Sequence, residues 1–188
     1  MEYFHIVVRG GTVIDGTGAP GFAADVGVRG ERIAAVGDLT DSEADVTIDA
    51  AGKMLAPGFV DMHSHSDRTL VINPRAEAGV RQGVTLEVVG NCGMSVAPLT
   101  EAMLDDESRA WRRWLDYTPA WRTMGEYLAT LETNGLGINV AALVGHGTVR
   151  RAVMGYDMRQ PTPDELAEMR QHIEQALSQG AVGMATGL

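Results

Sequence analysis

The chain has 188 residues, 45% of them hydrophobic, with a formal net charge of −10 and a pI near 4.8. That length holds one domain or one and a fraction, and its scattered negative charge argues against nucleic acid or an anionic membrane surface as a partner. A lone cysteine, Cys92, excludes a disulfide within the chain; with no signal-peptide pattern and no bilayer-length apolar run, the cytoplasm is the expected compartment.

The first fifty residues read as short strands joined by glycine turns: 4–10, 12–16, 25–30, 32–37 and 46–50, with a hairpin around Gly30 and Glu31. Such a module buries little by itself and needs something to pack on. The pattern changes after Lys53. Apolar runs at 54–62, 84–90, 138–145 and 181–188 read as strands buried on both faces. Helical signals separate them. Residues 73–83 have Asn73 as an N-cap, Pro74 behind it and Gly83 as a stop. Residues 123–135 and 162–180 each open on a capping-box pair, Thr123 with Glu126 and Thr162 with Glu165. In the last of these, Leu166, Met169, Ile173, Ala176 and Leu177 form one apolar face.

Alternating strands and helices predict a parallel α/β fold. Four strands make half of a (β/α)8 TIM barrel, which needs roughly 250 residues when complete. The expected division is 1–53, part of a small β-sandwich domain, and 54–188, the N-terminal half of the barrel. The stretch from Cys92 to Thr123 interrupts the rhythm and carries all three tryptophans. It is expected to lie on the side of the active-site loops, with the tryptophans packing it down rather than stacking on a substrate.

Chemistry concentrates at "GFVDMHSHSD", residues 58–67. Two of five histidines, His63 and His65, stand there one residue apart. Strand alternation points both the same way, and neutral imidazoles suit a borderline divalent metal such as zinc. The second apolar run delivers Cys92 to the equivalent place, in "VVGNCGMS". A lone cysteine is usually an inert small apolar residue. This one sits between Asn91 and Gly93, outside the apolar run, where its thiolate could serve as a ligand. Asp61 and Asp67 flank the histidine pair; each could orient an imidazole or bond locally. His146, in "VGHGTVR", could stand behind the ligands, touch substrate or be structural. His5 and His172 receive no role.

The stretches "APGFVDMHSHSD", "GVTLEVVGNCGMS", "NVAALVGHGTVR" and "GAVGMATGL", with the opening "VVRGGTVIDGTG", resemble the N-terminal half of the N-acyl-D-amino-acid deacylases (D-aminoacylases) of the amidohydrolase superfamily. The resemblance covers nearly the whole chain, and "GNCG" is its most specific element. It implies a zinc hydrolase of small-molecule N-acyl-D-amino acids. Cys92 would hold the tightly bound zinc, and His63 and His65 a weaker site beside it. Two further histidines and the general-base aspartate would come from later strands, beyond residue 188, in the missing C-terminal half of the barrel. Hydantoinases and dihydroorotases, the nearest rivals, use a carboxylated lysine on the fourth strand; the only lysine here is Lys53. A hydrolase of a cyclic amide or dipeptide, and a half-barrel without catalysis, remain the alternatives.

Overall fold

The computed structural model describes residues 2–187. The chain divides into two compact units, Met1–Pro57 and Gly58–Leu188.

The first unit is a five-stranded sheet. Its strands are β1 (Tyr3–Val13), β2 (Phe22–Arg29), β3 (Arg32–Gly37), β4 (Glu43–Asp49) and β5 (Met54–Leu55), in the order β3-β2-β1-β4 with β5 also on β1. The two strands expected over 4–10 and 12–16 are one. β1 runs through the first and into the second, ending at Val13, and its pairing with β2 shifts register between Val8 and Gly11, so the glycine pair marks a bulge and not a turn. The hairpin around Gly30 and Glu31 forms as expected, with Arg29 opposite Arg32. The buried core is small, built on Phe4, Val7 and Leu39.

The second unit opens with β6 (Phe59–Asp61), then α1 (Thr69–Ile72), α2 (Glu77–Val80) and β7 (Val84–Val89). It continues with α3 (Glu101–Leu115), α4 (Met124–Asn134), β8 (Asn139–Gly145), α5 (His146–Met154), α6 (Pro163–Ser178) and β9 (Gly183–Ala185). The order β6-β7-β8-β9 is sequential and every pairing is parallel, as the first four strands of a (β/α)8 barrel require. Val89, Ala142 and Val144 form the sheet side of the core. Met124, Tyr127 and Leu131 of α4, Val149 of α5, and Met169 and Ala176 of α6 cover them. Each fully buried aliphatic or aromatic side chain stabilises this layer by roughly 1.5–3 kcal/mol.

The expected strand over 54–62 is two strands. Met54 and Leu55 pair with Thr12 and Val13 in the first unit, and the second unit begins after Pro57. The expected helix over 73–83 is also wrong. Asn73 closes α1 by donating its N–H to the Thr69 carbonyl, and Ala76 has φ +46°. Pro74 holds Asn73 out of the helical region, so only the turn Glu77–Val80 is helical. Both capping boxes form, with Thr123 and Thr162 each accepting from the N–H three residues on. The apolar face of α6 is narrower than its pattern: Met169 and Ala176 are buried, whereas Leu166 and Leu177 are exposed.

The 92–123 segment contains the helix α3. Trp111 and Trp121 are buried and meet edge-on at 5.3 Å, with Tyr127 and Tyr117 beside Trp121. Trp121 Nε1 donates to the Val96 carbonyl at 2.8 Å. These two tryptophans pack the segment down, as expected. Trp114 does not; it is exposed. Among the described residues no helix is long and apolar enough to cross a membrane.

Candidate metal centre

β6 stops at Asp61, and the chain bends through Met62 and His63. Asp61 makes that bend: its Oδ1 accepts the His63 N–H at 3.1 Å. Asp61 thus bonds the backbone of His63 and not its imidazole. β7 stops at Val89 and turns sharply. Gly90 has φ +82°, and a Cβ there would lie 2.1 Å from the Leu143 carbonyl oxygen, so only glycine fits. Cys92 follows at φ +55°, a left-handed conformation rare for a residue with a Cβ.

These two turns bring the candidate ligands together. His63 Nε2 lies 3.1 Å from Cys92 Sγ, and the His63 and His65 rings are 5.4 Å apart, centre to centre. The ligand atoms of His63, His65 and Cys92 all lie within 4.8 Å of one another; no other such group of three or more occurs among the described residues. All three side chains are exposed. A nitrogen and a sulfur bound to one tetrahedral zinc at ~2.0 and ~2.3 Å stand roughly 3.5 Å apart. The observed spacing is close to that, and two imidazoles with a thiol suit a borderline or soft metal. The donor set fits zinc.

The groups behind the ligands were not anticipated from the sequence. Ser64, between the two histidines, donates its N–H to the Val88 carbonyl at 3.0 Å. Its carbonyl accepts from Asn91 Nδ2 at 3.3 Å, and the same amide donates to the Val88 carbonyl at 2.7 Å. The Ser64 hydroxyl lies 2.9 Å from Ser66 Oγ and 3.2 Å from Glu87 Oε2, one donor shared between the two. Ser66 also donates its hydroxyl to Glu87. Glu87 is only 7% exposed. One signal for it exists in the sequence: a glutamate inside the apolar run "VTLEVVG", where a buried carboxylate is costly unless its oxygens are satisfied.

Asp67 is buried, and burial raises its pKa above the usual carboxylate range, against the opposing pull of the Arg68 and His65 charges. With His65 it lines a cavity of about 360 Å³ that also touches Arg68, Met94 and Ser95. The Tyr127 hydroxyl donates to the Asp67 backbone carbonyl at 2.9 Å; burial pushes that phenol's pKa well up. His146 directly follows Gly145, the last residue of β8. It opens α5, half-buried, and stands outside the three-ligand group.

Residues 46–188 match the Amidohydrolase family. The chain is 46% identical over 188 residues to an N-acyl-D-glutamate deacylase of Alcaligenes xylosoxydans xylosoxydans, covering 100% of this chain and 38% of that protein. Among solved structures, the N-acyl-D-glutamate deacylase of Bordetella bronchiseptica, complexed with zinc and a phosphonate that mimics the tetrahedral intermediate, superposes with a TM-score of 0.89. It is 43% identical and covers 100% of this chain and 39% of that one. A D-aminoacylase with a binuclear metal centre gives a TM-score of 0.84 at 44% identity, over 98% of this chain and 38% of its own. The chain thus spans under two-fifths of the length of these relatives.

Proposed function

Because this chain belongs to the amidohydrolase family, we propose that it forms the N-terminal part of a zinc-dependent hydrolase that cleaves the amide of N-acyl-D-amino acids. The products are a D-amino acid and a carboxylate. The observation that carries the reading is the meeting of His63, His65 and Cys92 at the ends of two adjacent parallel strands.

Cys92 and the histidine pair would hold the metal, Cys92 the tighter ion and His63 with His65 the neighbouring one. Zinc bound there supplies a Lewis acid for the amide carbonyl and lowers the pKa of bound water. The chain's own residues set the stage. His63 and His65 offer neutral imidazole lone pairs and Cys92 a thiolate. Asp67 lies beside His65 on the wall of the adjoining cavity. The absence of lysine from β9 supports the cysteine-using branch over hydrolases that need a carboxylated lysine on this strand.

The test is an assay of the protein at its full natural length on paired N-acetyl-D- and N-acetyl-L-amino acids and on a hydantoin. The expected result is release of free D-amino acid that chelation abolishes and zinc restores. Turnover of the hydantoin alone would overturn the substrate class.

A further inference from the structure

The residue between the two candidate histidine ligands is fastened to the strand that delivers the third. Every polar group of Ser64 is used. Its N–H goes to Val88, its carbonyl to Asn91 and its hydroxyl to Glu87. Ser66, on the far side of His65, reaches the same carboxylate, and its N–H donates to the Ser64 hydroxyl at 3.2 Å. All these partners lie on β7 or in the turn that follows it, and Asn91 directly precedes Cys92.

We infer that Glu87 and Asn91 are positioning residues that lock the His63–His65 segment in register with Cys92, so that the three ligand atoms converge before any metal arrives. This rests on the proposed metal site. β6 is short, and the chain leaves it through a bend. Free to move, such a segment would swing its imidazoles away from the thiol. Strand pairing of β6 with β7 ends at Asp61 opposite Glu87, two residues before the first histidine. Beyond that point the Ser64 bonds continue the pairing in another form. Glu87 serves this purpose better than an apolar residue because a carboxylate oxygen can accept two hydroxyls at once. Gly79 of α2 leaves room for it; a Cβ there would lie 2.9 Å from Glu87 Oε1. No ion pair to Glu87 occurs among the described residues, and the serine hydroxyls are the donors that meet its Oε2.

The experiment is a cobalt(II) titration of the metal-free protein at its full natural length, reading the thiolate-to-cobalt charge-transfer band for the ion on Cys92 and the d–d bands of the second equivalent for the ion on His63 and His65, with thermal unfolding of each metal-free variant alongside. Asn91→Ala, Glu87→Ala and the milder Ser64→Ala should each weaken binding of the second cobalt equivalent by about 10–100-fold, the usual effect of losing a bond behind a ligand. Glu87→Gln keeps an acceptor oxygen and should remain within about threefold of the parent. Leu131→Ala, a cavity in α4 away from these turns, should lower the unfolding temperature and leave the affinity unchanged. Parental affinity in both Asn91→Ala and Ser64→Ala would overturn the inference while leaving the metal site standing. So would a loss in Leu131→Ala as large as theirs. A parent protein that shows no thiolate band would overturn the inference and the metal reading together.

Discussion

Replacing Cys92 by glycine separates the two roles this residue could have. Cys92 stands at φ +55° with an exposed side chain. A residue with a Cβ loses roughly 1–2 kcal/mol in that conformation, whereas glycine adopts it freely. Glycine also gives the unfolded chain more freedom, at about 0.5–1 kcal/mol. The side chain is exposed, so little buried contact is lost with it. The sum runs from no change to a gain of about 1.5 kcal/mol. For a chain of this size 1 kcal/mol moves the midpoint by about 2–4 °C. The metal-free Cys92→Gly protein should therefore unfold at the same temperature as the parent or a few degrees higher. Zinc binding should fall by more than the ~10–100-fold that loss of a supporting bond costs. Scanning calorimetry of the metal-free proteins and a zinc competition titration measure the two effects. A drop in the metal-free midpoint of several degrees, with zinc affinity kept, would show that Cys92 packs the turn and is there for structure.

Thr162→Ala should remove the cap of α6 at about 1 kcal/mol, read as a lower unfolding midpoint that Thr162→Ser restores. The Arg159 guanidinium, 2.5 Å away, and the Thr162 N–H pull the Glu165 carboxyl down to about 2 from the usual 4.5. The stability it contributes is complete above the unfolded value near 4.5 and is lost as pH falls toward 2; Glu165→Gln should flatten that part of a stability–pH profile. Tyr127→Phe leaves the buried Asp67 carbonyl without its hydroxyl donor and should destabilise by about 1–2 kcal/mol in denaturant unfolding. Residues 1–188 alone should release no D-amino acid from an N-acyl-D-amino acid above the buffer rate, because the remaining ligands and the base are expected elsewhere; zinc-dependent turnover by this chain, lost in Cys92→Ser, would refute that.

The parallel strands were readable because β7 and β8 are apolar runs, and α4 and α6 because their caps are local chemistry. The split at Pro57 was not readable. Met54 and Leu55 look like the start of the next strand, and only their pairing with Thr12 and Val13, some forty residues earlier, assigns them to the first sheet. α5 was missed for a related reason. Its sequence, with Gly147 and three β-branched residues, has weak helical propensity. Tertiary contacts hold it: Val149 is buried, and the Thr148 N–H and hydroxyl donate to the Gly93 and Ser95 carbonyls. At the site, His63, His65 and Cys92 could be picked out by their chemistry. Ser64, Glu87 and Asn91 could not, because their role exists only once β6 and β7 lie side by side.

X-ray absorption at the zinc edge of the zinc-loaded protein at its full natural length tests the central claim most directly. A zinc site that uses Cys92 requires a sulfur shell at ~2.3 Å beside nitrogen and oxygen at ~2.0–2.2 Å. The sulfur shell should vanish in Cys92→Ser. A first shell of nitrogen and oxygen alone in the parent protein would contradict it.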